Sequence, residues 1–439
     1  MKSLALYVHI PFCAGKCYYC DFLSFADVAE DIRLRYTEAL LQEIAEAAAT
    51  LPKQSAADFE VSSIYFGGGT PSFIAPVQIE RILNHIRDHF HVRTGAEITL
   101  ELNPGTVTYD SLKAYKSFGI TRLSIGAQSM MNLDLEHLGR VHSVSDFYEA
   151  YRNARTAGFR NISVDVMMGL PGQKYADYLN TLREIVACKP EHISSYALTI
   201  EEGTPFHEIY GSGRTARDNA LGLFRLDLPD EEEERKMYAE TANFLVSAGY
   251  HRYEISNFAK NDEERPHRYE SKHNIVYWTR GDYLGFGLGA SSMIENTRFS
   301  NIRDLNAYIE ADGDVQKIRE NETVLDIRAQ IEEFMFLGLR MMRGVSFARF
   351  EECFHLSMRE LYGAVIDAMC RDGLMQEDEG SVMLTARGVD VSNTVMSHFL
   401  LEEEQKEEDA FTGGDEEKDQ DREAKEDGPP QDKESEEKP

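Results

Sequence analysis

Cys13-Ala14-Gly15-Lys16-Cys17-Tyr18-Tyr19-Cys20 places three thiols in an eight-residue loop directly behind the apolar stretch Leu4 to Ile10. The apolar stretch reads as a strand, and the cysteines crowd at its carboxyl end. Three thiolates on a four-iron cluster leave one iron without a protein ligand. That iron can take a small molecule through nitrogen and oxygen. Cys188, Cys353 and Cys370 lie far apart in the chain and read as small apolar packing residues. Six cysteines in 439 residues make no disulfide framework, which fits a reducing compartment.

Outward from the loop, a short β-rich run followed by a longer helical run recurs about six times up to residue 200. The expected strands are Leu4–Ile10, Ser62–Phe66, Glu97–Leu102, Arg122–Ala127, Asn161–Met168 and His192–Ile200. Helices are expected at Val28 to Ala48, Pro76 to Phe90, Tyr109 to Phe118 and Tyr175 to Cys188, long enough to cross between parallel strands. This is an α/β pattern, a partial (β/α)6 TIM-like barrel. In such folds side chains and loops converge at the carboxyl ends of the strands.

The unusual residues fall at those ends. After the second strand comes Gly67-Gly68-Gly69-Thr70-Pro71, where three glycines let the backbone approach a ligand. It lacks the Gly-Lys-Ser/Thr ending of a phosphate-binding loop, and a lone glycine triplet is often only a tight turn. Glu101 closes the third strand, Gln128 the fourth, and Asp165 interrupts an apolar fifth. Carboxylates such as Glu101 and Asp165 suit ribose hydroxyls or an amine, and Gln128 with Arg140 could hold a carboxylate. Taken singly, each is as well explained as a helix cap or a buried structural hydrogen bond. Grouped near one open iron, they point to a ligand.

Composition frames the site. With 42% apolar residues the chain can bury a large core, and no apolar run approaches a membrane span, so no transmembrane segment is expected. Met1-Lys2 and Ser3 to Ile10 faintly imitate a signal peptide, but Pro11-Phe12-Cys13 stands where a small-residue cleavage site would be needed. The expected location is therefore the cytoplasm. The net charge is −30, of which residues 402–439 carry −12 from 18 acids and 6 bases. This segment is nearly devoid of large apolar residues and reads as a disordered acidic tail. An acidic body also argues against nucleic acid as a partner.

The motif Tyr7-Val8-His9-Ile10-Pro11-Phe12-Cys13 with its CxxxCxxC spacing resembles the radical S-adenosylmethionine superfamily. So do Tyr65 to Ser72, Arg122 to Ser129, Leu138-Gly139-Arg140-Val141-His142 and Gly169-Leu170-Pro171-Gly172, and the likeness runs from Leu4 to Leu400. More narrowly, the chain is similar to the oxygen-independent coproporphyrinogen III oxidase-like family, which includes the HemW-type heme chaperones. The resemblance implies that Cys13, Cys17 and Cys20 ligate a 4Fe-4S cluster and that Tyr7 and Tyr19 flank bound S-adenosylmethionine. Gly68, Gly69 and Thr70 would line its methionine side, and Glu101, Gln128, Arg140 and Asp165 take the remaining positions. In family terms, the reduced cluster cleaves the sulfonium and releases a radical, which admits an electron donor as a partner.

Two departures bear on the branch. The dehydrogenases of this family usually carry a further cysteine two residues after the third ligand and a longer leader. Here Asp21-Phe22 follows Cys20, and the cluster strand begins almost at once. Whether the chain is an enzyme stays open, and both departures argue against porphyrinogen decarboxylation. His273-Asn274-Ile275-Val276-Tyr277-Trp278, containing the only tryptophan, resembles the HNxxYW motif of the chaperone group. Imidazole is a common axial ligand of heme iron, so His273 is the candidate heme ligand. The resemblance thus implies heme as cargo and recipient hemoproteins as partners, with delivery extending to a peripheral position at the membrane. The alternatives are coproporphyrinogen III dehydrogenase, another radical reaction, or a binding module that no longer assembles a cluster.

The rest of the chain is less eventful. Asp230 to Glu234 reads as the acidic start of a helix whose apolar face includes Met237, Thr241 and Leu245, and Gly285 to Ala290 as a glycine-rich turn or strand. The expected division is a barrel at 1–225, a family-specific extension with the HNxxYW motif at 226–324, a winged-helix-like domain at 325–400 and the tail at 401–439. The winged-helix-like part lacks a basic stripe, which favours packing over DNA binding.

Overall fold

The computed structural model describes residues 1–51, 59–216 and 226–401; the acidic tail expected beyond Leu401 lies outside the described residues. Six strands follow one another both in the chain and in the sheet: β1 (Lys2–Ile10), β2 (Phe59–Gly68), β3 (Val92–Leu102), β4 (Arg122–Gln128), β5 (Ile162–Met168) and β6 (His192–Ala197). Each pairs in parallel with the next. Parallel neighbours require a crossover, and helices Glu30–Thr50, Pro76–His89, Tyr109–Phe118, Val144–Thr156 and Tyr175–Ala187 supply it. The α/β partial (β/α)6 barrel is therefore present, with a crossover helix, Val144–Thr156, that the sequence reading did not single out. Its start is a Ser143/Asp146 capping box, a local signal that was available. The sixth strand stops at Ala197, short of Ile200, where Leu198 N–H turns back to Met168 O at 2.9 Å.

Alternation along the strands divides the sheet into two chemistries. One face is apolar, with Leu4, Leu6, Val8, Ile64, Phe66, Leu100, Leu123, Ile125, Val164 and Val166 all buried in one continuous core. The other face carries Tyr7 and His9, Ser63 and Tyr65, Glu97 and Glu101, Arg122 and Ser124, Ser163 and Asp165, and His192 and Ser194. A strand sends successive side chains to opposite faces, so a barrel that packs helices outside must place this second set inside.

The segment after the barrel builds onto both sheet edges. β7 (Tyr250–Arg252) and β8 (Asn257–Lys260) pair antiparallel beside β6. On the other edge β9 (Asp282–Phe286) runs parallel to β1, followed by β10 (Ser291–Ile294), β11 (Thr297–Asn301) and β12 (Arg319–Val324), so the sheet reaches twelve strands. Helix Glu231–Ser247 starts on Asp230, whose carboxylate accepts from Glu233 N–H, as its acidic start predicts. Gly285 ends up in β9, and Gly287 turns the chain with its N–H on buried Glu43.

The C-terminal part runs helix Ile327–Gly338, β13 (Val345–Ser346), helices Phe347–Phe354 and Met358–Arg371, β14 (Met375–Glu377) and β15 (Ser381–Leu384). Two helices followed by a hairpin, with sheet order β13-β15-β14, make the winged-helix-like arrangement. Phe334, Phe350, Phe354 and Tyr362 pack edge to face at its centre. Among the described residues, no helix is long and apolar enough to cross a membrane.

Candidate cofactor site

The cysteine loop is pinned at its base. Cys13 N–H donates to Phe25 O at 3.0 Å and Phe25 N–H to Pro11 O at 2.8 Å, while Tyr18 N–H reaches Leu138 O at 3.0 Å. Gly69 and Thr70 tie the glycine run to the same base through Ile10 O and Phe12 O, at 2.9 and 2.8 Å. Only glycine permits this approach: a Cβ on Gly69 would sit 2.8 Å from Phe12 O, and Gly68 has φ +108°. Cys13, Cys17 and Cys20 all face one cavity of about 570 Å³, which none of the other three cysteines lines. Thr70 Oγ1 donates to Cys13 Sγ at 3.5 Å and Arg140 Nη1 to Cys17 Sγ at 3.8 Å. Burial raises the Cys13 thiol and pushes Cys20 up to about 11. Half-buried thiols become ligands by exchanging protons for metal cations, and three sulfurs match a four-iron cluster with one iron left open.

The strand ends supply the walls. Tyr19, Gly68, Gly69, Thr70, Glu101, Gln128, Arg140 and Asp165 all line the cavity, so eight of the nine residues expected around the small-molecule ligand are brought together. Tyr65 hydroxyl donates to Glu101 Oε1 at 2.6 Å. Burial pushes the Glu101 carboxyl up to about 7, against the hydrogen bond from Tyr65 and assisted by the charge of Asp165. Asp165 is likewise raised by burial and accepts from Ser124 Oγ at 3.2 Å. Arg140 is anchored by Gly126 O at 2.7 Å and Tyr19 Oη at 3.4 Å. Gln128 ends β4 with φ +65°, an uncommon value for a non-glycine residue, and its Oε1 accepts from Tyr196 hydroxyl at 3.1 Å.

Two of the expected residues are not brought to the cavity. Tyr7 does not line the cavity: its ring stacks behind Tyr65 with centroids 6.3 Å apart, and its hydroxyl pairs with His9 Nδ1 at 3.0 Å. His273 is not presented as an axial ligand either. It is 1% exposed, with Nδ1 on Ser63 Oγ at 3.1 Å and Nε2 on Tyr277 hydroxyl at 2.9 Å, so neither nitrogen is free for iron. Burial holds its imidazole neutral, down at about 3. The HNxxYW motif instead forms helix Lys272–Trp278, which plugs the barrel from below. Glu97 on β3 accepts from the first helical N–H groups, Lys272 at 2.9 Å and His273 at 3.4 Å. His273 then stacks on Tyr65, centroids 5.0 Å apart, and so backs the Tyr65–Glu101 pair. Asn274 reaches the cavity floor.

Sequence reasoning missed Arg122 and Ser124. Arg122 is 2% exposed, lines the cavity and has an unpartnered Nε. The signal was present as polar Arg122, Ser124 and Gln128, with Gly126 among them, at every second position between apolar Leu123, Ile125 and Ala127. Asn103 Oδ1 and Asn257 Oδ1 in the lining are also buried without partners. Buried polar atoms are normally satisfied, so these three atoms fit a polar ligand in the cavity.

The Radical SAM superfamily model matches residues 7–185, and the HemN C-terminal domain model matches residues 325–391. The heme chaperone HemW of Lactococcus lactis is 34% identical over 402 residues, 92% of this chain and 98% of that protein. Its counterpart in Bacillus subtilis is 35% identical over 403 residues, 92% and 100% of the two chains. The solved structure of coproporphyrinogen III oxidase (HemN) from Escherichia coli, described as a radical SAM enzyme, is similar with a TM-score of 0.74 at 25% identity. The match covers 91% of this chain and 90% of that one.

Proposed function

Because the chain belongs to the family of the heme chaperone HemW, within the radical SAM superfamily, we propose that it binds heme and delivers it to hemoproteins. The observation that carries this reading is the coextensive match, in which relatives named as heme chaperones are covered over 98% and 100% of their length. Asp21-Phe22 after Cys20, where the dehydrogenases of this family usually carry a further cysteine, argues against porphyrinogen decarboxylation.

Cys13, Cys17 and Cys20 would hold the four-iron cluster, and Tyr19, Gly68, Gly69, Thr70, Glu101, Gln128, Arg140 and Asp165 would surround S-adenosylmethionine. When bound, the cluster supplies single electrons and an open coordination position, and its reduction calls for an external donor. Thr70 and Arg140 donate to the cysteine sulfurs, an arrangement that tunes such a centre. Glu101 and Asp165 offer negative charge to a sulfonium and an ammonium, and the glycine run keeps side chains out of the way. Residues 1–225 form the unit for this ligand, 226–324 the extension that closes it, and 325–400 the winged-helix-like part.

The test is heme binding and transfer by the purified, cluster-loaded protein to an apo-cytochrome, with and without S-adenosylmethionine. Binding at micromolar heme followed by appearance of holo-cytochrome is expected; no binding at that concentration overturns the reading. Anaerobic incubation with S-adenosylmethionine, reductant and coproporphyrinogen III should leave the propionates intact. Decarboxylated product would establish the enzyme instead.

A further inference from the structure

At the corner where β7 meets the segment leading into helix Lys272–Trp278, two imidazoles converge on one carboxylate oxygen. His251 Nε2 lies 3.1 Å and His267 Nδ1 2.6 Å from the same atom, Glu270 Oε1. The three donor atoms lie within 4.8 Å of one another. Glu270 is nearly inaccessible, its side chain 4% exposed, whereas the His267 side chain is 71% exposed. The pair of histidines therefore lids a buried anion.

His251 Nδ1 is 2.9 Å from Asn261 Oδ1, which accepts from its N–H. Without a metal, His251 as an imidazolium and His267 as its neutral Nδ1–H tautomer both donate to Glu270, one positive charge against one negative. A divalent ion bound by His251 Nε2, His267 Nδ1 and Glu270 Oε1 would take the place of those two protons. Asn261 behaves as the outer partner that fixes ring orientation at metal sites. His267 adopts φ +61°, a conformation a non-glycine residue takes at some cost and which turns its ring into this corner.

We propose that His251, His267 and Glu270 form a binding site for a divalent transition-metal ion of the Zn²⁺ class. Two imidazoles and a carboxylate suit zinc and its first-row neighbours, while magnesium and calcium take oxygen ligands. A tetrahedron with bonds of ~2.0 Å has edges of ~3.3 Å, close to the His251 spacing. The His267 ring, being exposed, can open its shorter spacing without disturbing the core. Three protein ligands leave the remaining position to water. The ion would tie β7 to residue 270, immediately before Ser271, whose N–H donates to Tyr253 hydroxyl at 3.2 Å and whose Oγ caps the plug helix. It would thus clamp the entrance to the helix that floors the cofactor cavity.

The experiment uses full-length, cluster-loaded protein freed of loose metal with a chelator, then incubated with zinc and desalted. Metal analysis should find one zinc per chain beyond the cluster iron, and cobalt should give the d–d absorption of a tetrahedral nitrogen–oxygen site. His267→Ala, at an exposed position that leaves folding intact, should weaken zinc binding at least tenfold with iron and sulfide content unchanged. Glu270→Gln should do the same. Zinc retained equally by wild type and His267→Ala, or retained by neither, overturns the site.

Discussion

At the residue scale the sharpest feature is a carboxyl group that holds its proton in the middle of a ligand site. Glu101 is raised to about 7 because burial penalises its charge. An acid raised in the folded state binds more protons folded than unfolded, so stability falls as pH rises from its ordinary value of 4.5 to about 7 and levels off above. Glu101→Gln should flatten this slope in denaturant titrations of the ligand-free protein, an effect of at most about 3 kcal/mol. Binding of a cationic ligand runs the other way, because only ionised Glu101 attracts it. Affinity for S-adenosylmethionine should fall by up to about tenfold per pH unit below 7, and the Gln variant should bind weakly with a shallower pH profile. Calorimetry showing a pH-independent wild type would remove Glu101 from the site. Glu101, Gln128 and Arg140 were legible because they fall at or beyond a strand end, and Asp165 because it interrupts an apolar strand. Arg122 was passed over because it opens its strand. The hydrogen-bond partners of His273 were not legible, because Ser63 lies 210 residues away in the chain.

At the scale of elements, helix Lys272–Trp278 carries the most consequence for its length. It stops the barrel below, with Glu97 at its amino end, His273 against Tyr65, and Tyr277 packed edge to face on Tyr283. His273→Ala would leave Ser63 and Tyr277 without partners and open space behind Tyr65. A loss of roughly 2–4 kcal/mol is expected for a buried ring and its two hydrogen bonds. Tyr277→Phe, which strands only Nε2, should cost about 1–2 kcal/mol. The heme absorption spectrum should stay unchanged in both, while affinity for S-adenosylmethionine drops in His273→Ala as Tyr65 and Glu101 lose their backing. A changed spectrum with unchanged stability would restore iron ligation to His273. The sequence located the six barrel strands and four of the crossovers because a period of two and a period of 3.6 are local signals. It could not place the plug, since a seven-residue helix has too few turns to display a face, and its position depends on residues from three distant strands.

At the scale of the whole molecule, the winged-helix-like part meets the barrel at the other end of that plug. Trp278 lies under the Arg340 guanidinium, 4.2 Å from ring centroid to charge. Glu333 on helix Ile327–Gly338 receives Arg280 at 3.2 Å and Arg298 at 2.9 Å. Net charge was readable from composition. This junction was not, because its partners come from three separate stretches and look like ordinary surface charges. Arg280 and Glu333 side chains are only 9% and 10% exposed, so the pair behaves as a buried one. Removing one member of a buried pair strands the other, at a typical cost of 3–5 kcal/mol. Glu333→Ala should therefore cost about that much, loosen the chain near residue 325 to protease, and weaken S-adenosylmethionine binding through the plug helix. Arg349→Ala breaks an exposed pair with Glu352 and should change none of these beyond about 0.5 kcal/mol. Equal melting temperatures and equal proteolysis for the two variants would mean that the winged-helix-like part and the cavity floor are energetically separate.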